Sequence, residues 1–222
     1  MPIKWVLRWQ SNAGTTVNSQ ILIEVSNCAE SINGVKEGIW KNTFTFYNPI
    51  LKEQENASEF SQKILGVSLQ EQPNKFYMAL SRQRLVVEAE SSMQTIKENV
   101  QSYRMKVAVN REGFQYRLGD FRLRVGKAIP INFENLRGIV MEMEYLPISS
   151  WKTSHLIMSE FFEIWKETLG KRSLSGHFVH VEPNFSEFGL SDQYTSQHTV
   201  VQYASILAQM AATSQSSQAT RN

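Results

Sequence analysis

The 222-residue chain has one cysteine, Cys28, so no disulfide can form within it. A lone thiol fits a reducing compartment. No stretch approaches the roughly 18 uninterrupted apolar residues of a membrane span, and the opening MPIKWVLRW lacks the long apolar core of a secretory leader. A soluble protein away from membranes is expected. An excess of one charge is also missing: 23 Lys and Arg face 21 Asp and Glu, for a formal charge of +2. That balance argues against a protein that chiefly wraps duplex DNA. There is no internal repeat at a fixed period. With 41% hydrophobic residues the chain can bury a real core, and one domain over residues 1–211 is expected, followed by a disordered polar tail at 212–222.

Catalytic signatures are as scarce. No G-x-S-x-G elbow occurs. Gly119 to Lys127, GDFRLRVGK, only distantly resembles a phosphate loop. Six residues separate its glycines where four are required, Ala128 replaces the metal-binding hydroxyl, and the segment alternates like a strand. His177 and His180 are three residues apart, which in an extended segment sends them to opposite faces, and no cysteine pair completes a zinc shell. Cys28 falls on an apolar helical stripe and reads as a small core residue. No cofactor is expected.

Strand periodicity is abundant. Ile3, Trp5, Leu7 and Trp9 alternate with polar or smaller neighbours. Val17, Ile21, Val25, Cys28 and Ile32 then mark an amphipathic helix over 16–33, with Thr15 or Thr16 as cap and Asn33-Gly34 as stop. Alternation returns at 35–48. Residues 52–63 form a polar surface insertion, and strands are expected at 75–81 and 84–90, with a second helix from Met93 to Tyr103. Segments 105–109, 114–118, 121–125 and 139–146 follow as an antiparallel meander. A helix over 153–169, an edge strand near 175–183 and a helix over 197–211 end the pattern. The fold class is α+β: an antiparallel β-barrel or meander with flanking helices.

Two pairs of alternating glutamates, Glu88 with Glu90 and Glu142 with Glu144, raise the question of a metal-binding tunnel. In IVMEMEYLP the Met and Tyr face is the greasier, so Glu142 and Glu144 should look away from the core. In DFRLRVGK, Arg122 and Arg124 occupy the matching positions. A single antiparallel register sets Arg122 opposite Glu144 and Arg124 opposite Glu142, giving two cross-strand pairs on a solvated face. Nothing in the sequence marks the concentrated basic interior a triphosphate requires. Residues 104–127 hold seven basic and two acidic residues interleaved with Tyr103, Phe114, Tyr116 and Phe121. A nucleic-acid-binding sheet is one reading. The other, aromatics inward and arginines paired with glutamates, follows from their alternation on opposite sides.

The blocks PIKWVLRWQ (2–10), SINGVKEGIWK (31–41), LGDFRLRVGK (118–127), RGIVMEMEYLPISS (137–150) and FGLSDQYTSQHTVVQYA (188–204) together resemble the Mediator subunit 20 family in its plant form, over nearly the whole chain. The resemblance implies a helix-decorated antiparallel β-barrel similar to Mediator subunit 18, and a nuclear, non-enzymatic coregulator of RNA polymerase II transcription. It also implies a heterodimer with subunit 18, attachment to the head module through the C-terminal part of subunit 8, and only indirect contact with the other head subunits and the polymerase. Neither sequence-specific nucleic acid nor membrane is expected as a partner. The barrel is also similar to the triphosphate-tunnel fold, so a metal-dependent phosphohydrolase remains an alternative, as does the nucleic-acid-binding sheet. For an assembly subunit, the over-wide apolar arc of the 153–169 helix suggests either a partner surface, with Trp151, Phe162 and Trp165 as candidates, or packing of these aromatics within the same chain.

Overall fold

Among the described residues there are nine strands: β1 (Ile3–Ser11), β2 (Val35–Pro49), β3 (Ile64–Leu69), β4 (Lys75–Leu80), β5 (Leu85–Glu90), β6 (Tyr103–Leu118), β7 (Phe121–Pro130), β8 (Gly138–Tyr145) and β9 (Gly176–His180). They form one sheet in the order β5-β4-β3-β2-β6-β7-β8-β1-β9, with every pairing antiparallel. This computed structural model describes residues 1–49, 64–99, 103–131 and 138–219. The expected insertion at 52–63 lies outside the described residues.

Two strands depart from expectation. β3 reads ILGVSL, an apolar run buried on both faces apart from Ser68, so it carries no alternation to reveal it. β6 is one strand where two were expected, because Asn110 to Gly113 lie exposed or buried in turn but stay hydrogen-bonded between β2 and β7. Pairing on both sides overrides the weak strand propensity of Asn and Gly.

Among the described residues four α-helices accompany the sheet: α1 (Ser19–Ser31), α2 (Ser92–Asn99), α3 (Trp151–Gly170) and α4 (Ser196–Ala219). The Asn18 side chain caps α1 by accepting from Ile21 N–H, three residues later than the threonine start expected. Thr15 instead closes the preceding turn onto Asn12 O and Ser175 O. Ser150 caps α3, and Asp192 gathers that end by accepting from Ser150 Oγ and from the Lys152 backbone N–H. α4 continues past residue 211 through much of the stretch expected to be disordered. Ala and Gln there favour helix, and neither Gly nor Pro interrupts it.

The sheet has two buried faces. On one, Trp5, Leu7 and Trp9 of β1 stand beside Met141 and Met143 of β8 and Leu123 and Val125 of β7, in one core with Ile21, Val25 and Cys28 of α1 and Met158, Phe162 and Trp165 of α3. The other face is wrapped around α4, which packs against β1 near one end of the strand order and against β4 and β5 at the other. Closure is therefore by helix: among the described residues β5 and β9 each have one strand partner.

Gln202 makes this closure specific. β9 covers β1 only from Leu7 onward, leaving the edge at Lys4 and Val6 open. The Gln202 amide fills it as a strand would: Val6 N–H donates to Oε1 and Nε2 donates to Lys4 O, each at 2.9 Å. Both backbone groups are buried, so removing the amide strands them. Gln202→Leu is expected to lose about 2–4 kcal/mol of unfolding free energy. Urea denaturation measures this, and an unchanged midpoint would show that the amide is dispensable.

Candidate functional site: the charged interior

Alternation puts Lys4 and Val6 of β1, Glu142 and Glu144 of β8, Arg122 and Arg124 of β7 and Arg111 of β6 on the face that surrounds α4. The register is Arg122 opposite Glu144 and Arg124 opposite Glu142. Arg122 Nη1 donates to Glu144 Oε2 at 3.1 Å, and Arg124 Nη1 donates to Glu142 Oε2 at 2.8 Å. The environment differs from the solvated wall expected. Glu142 is 0% exposed, Glu144 4% and Arg124 6%. The glutamates do point away from the Met and Tyr core, but into a second interior, because the sheet curls and α4 covers that face.

Three groups unmarked in the sequence complete the network. Lys4, 1% exposed, pairs with Glu71 and lies 3.8 Å from both Glu142 Oε2 and Glu144 Oε1. Glu71, on the turn after β3, is also 3.8 Å from Arg124 Nη1. Tyr203 of α4 donates its hydroxyl to Glu142 Oε1. The one sequence signal was polar Gln202-Tyr203 inside an otherwise apolar helix stretch. The basic interior thought to be missing is therefore present, assembled from β1, β6 and β7.

Electrostatics fix the ionisation states. Burial pushes the Glu142 carboxyl up, but Lys4 and Arg124, the Tyr203 hydroxyl and the charge of Arg111 together hold it at about 2. For Arg124, burial opposes the charge, and Glu142, Glu144 and Glu71 outweigh it and raise its pKa further. Burial sends the Tyr203 and Tyr194 hydroxyls well above the usual phenol range. Each buried carboxylate thus already has cationic partners within the chain, and serves as their counter-ion. Among the described residues no three His, Cys, Asp or Glu side chains gather as a metal-ion set.

The outer glutamates differ. Glu88 and Glu90 are exposed and share Lys75 across the β4–β5 ladder, at 3.5 and 2.9 Å. The basic residues of 104–127 are dispersed: Arg111 and Arg124 are buried, Arg122 is engaged by Glu37 and Glu144, Arg117 and Lys127 are half-buried, and Arg104 and Lys106 stand apart near the start of β6. His177 and His180 fall on opposite faces of β9, and His180 is no simple surface residue. Its ring stacks on Trp5 at 4.1 Å, and burial lowers its pKa to about 4.

Residues 1–208 match the family described as TATA-binding related factor (TRF) of subunit 20 of Mediator complex. The chain is also 54% identical over 212 residues to Mediator of RNA polymerase II transcription subunit 20b of Arabidopsis thaliana, covering 96% of this chain and 97% of that protein. The chain belongs to the Mediator subunit 20 family. Among solved structures, a chain of the Schizosaccharomyces pombe Mediator head module aligns with TM-score 0.42 and 13% identity over 81% of this chain and 100% of that one. The Hippeastrum protein HpAC1, a putative adenylyl cyclase with a dominant triphosphatase activity, aligns with TM-score 0.41 and 11% identity over 85% and 95%.

Within this subunit 20 chain the three aromatic interface candidates turn inward. Trp151 and Phe162 are each 8% exposed and Trp165 is 0% exposed. Trp5 meets Phe162 edge-on at 6.3 Å and tilts against Trp151 at 6.5 Å, and Trp151 Nε1 donates to Glu182. The wide arc is covered by β1, β9 and α1, and this accounts for the second stripe. The arc members left open are Leu156 at 69% and Ile164 at 59%.

Because the Glu142 carboxyl is held at about 2 against an ordinary 4.5, its stabilisation is complete above about pH 4.5 and is lost as the pH falls toward 2. Neutral, half-buried His180 acts in the same direction from 6.5 down to about 4. Glu142→Gln is expected to cost about 3–5 kcal/mol at pH 7 and to flatten the lower of these two windows. Urea denaturation across pH tests both; an unaltered pH profile would remove Glu142 as the source.

Proposed function

We propose that this chain is a non-enzymatic assembly subunit of the Mediator head module. In this reading it is nuclear, pairs with subunit 18, is held to the module through the C-terminal part of subunit 8, and couples activators to RNA polymerase II through protein contacts. The observation that supports this reading most is family membership across nearly the entire chain, joined to an interior whose carboxylates are engaged by the chain's own cations. A phosphohydrolase tunnel needs carboxylates free to take a divalent ion and cations free to take a polyphosphate. Here Glu142 and Glu144 bind Lys4, Arg122 and Arg124 instead.

The partner surface then lies outside the described cores. Exposed apolar side chains that could anchor an obligate contact are Leu156 and Ile164 on α3 and Val35 and Ile39 on β2, where β2 extends beyond β3 and leaves an open edge.

Purified chain mixed with subunit 18 is expected to co-elute from a sizing column as one complex; separate elution at micromolar concentration would count against the pairing. Manganese-dependent hydrolysis of tripolyphosphate by the chain alone is expected at background, and turnover abolished by Glu142→Gln would favour the tunnel enzyme.

A further inference from the structure

Arg111 is a buried cation of this interior with no carboxylate against it. It is 1% exposed, and its Nε, Nη1 and Nη2 have no hydrogen-bond partner among the described residues. Aromatic rings hold its planar faces: its Cζ lies 4.5 Å from the Tyr203 ring centroid, 4.7 Å from Trp40 and 5.4 Å from Phe44. Such packing offsets part of the desolvation of the charge. It does nothing for the guanidinium edge, where all the N–H groups point.

The neighbours of that edge have the same deficiency. Asn42 stands directly opposite Arg111 in the β2–β6 ladder. Its Oδ1 accepts from the Gln70 backbone N–H, while its buried Nδ2 is unbonded. Trp40, two residues earlier on the same strand face and 1% exposed, leaves its indole N–H unbonded as well. Three adjoining side chains therefore offer donors only, one of them cationic. Leaving such groups unmatched costs about 1–3 kcal/mol apiece, more for the charged one. Water could satisfy single donors but would leave the guanidinium edge without an anion in contact, since Glu142 acts on Arg111 only through space.

We propose that the interior binds a small inorganic anion in the plane of the Arg111 guanidinium, with Asn42 Nδ2 and Trp40 Nε1 as additional donors. The anion joins β2 and β6 to Tyr203 on α4, and supports the fold without entering any chemistry. The donors are closed off from bulk solvent, so the ion is captured as the sheet closes on α4 and is released on unfolding. The proposal is independent of the Mediator assignment.

The experiment is thermal melting of the intact protein at pH 7.5 and constant ionic strength, with sodium gluconate replaced stepwise by sodium chloride or by sodium phosphate. A saturable rise of about 5 °C is expected with chloride, with phosphate or with both, and the arm that responds separates a halide from an oxyanion. The rise should vanish in Arg111→Met and shrink in Asn42→Leu. Equal melting temperatures in all three salts, or a rise retained in Arg111→Met, would overturn the site. Should Arg111→Met fail to fold, crystals of the unaltered protein refolded from urea in sodium bromide, or in sodium arsenate where phosphate is the arm that responds, decide: an anomalous peak within about 4 Å of the guanidinium nitrogens is expected. Water there, or the unbonded Oε2 of Glu71 turned to reach Arg111, refutes the proposal.

Discussion

The structure depends on neutralising charge inside a curled sheet. Glu142 has no contact with solvent, and Lys4, Arg124 and Tyr203 converge on it from β1, β7 and α4. Removing charges from water costs several kcal/mol per ion unless geometry and further hydrogen bonds compensate. Both conditions are met here because neighbouring strands in fixed register deliver opposite charges to the same depth. The network therefore specifies how β1, β7 and β8 align, and which helix closes over them, more than it adds net stability.

That constraint explains the two unlike cores. The face carrying Trp5, Leu7, Met141 and Met143 is apolar but for the His180 ring stacked on Trp5, and takes α1 and α3, whose stripes need chiefly shape to match. The face carrying Lys4, Glu142 and Arg124 needs a helix with polar groups at defined heights. α4 provides them with Gln202, which completes the β1 edge, and Tyr203, which reaches Glu142. Tyr194 and Thr199 extend this network, as Gln202 Nε2 also donates to Tyr194 Oη and the two hydroxyls are 2.9 Å apart.

A barrel-like shell with acidic and basic residues inside invites a catalytic reading, and fold alone cannot decide it. The pairing does bear on it. Carboxylates saturated by internal ammonium and guanidinium groups are poor ligands for a further cation, and those same cations are poor receptors for a polyphosphate.

Periodicity in the sequence revealed most strands, α1 and α3 to within about three residues of their ends, the starts of α2 and α4, and the Arg122–Glu144 and Arg124–Glu142 register, because these follow from local alternation on adjacent strands. It did not reveal β3, whose apolar run lacks a period, nor the meeting of Lys4 with Glu71, which are 67 residues apart in the chain. The direction in which Trp151, Phe162 and Trp165 face was likewise invisible, since an apolar arc has the same spacing whether a partner or β1 covers it. What the sequence determined by itself was which side chains share a face. Whether a face meets water, helix or another protein was decided only by the curl of the sheet and the seating of α4, because burial depends on contacts between segments that local spacing does not encode.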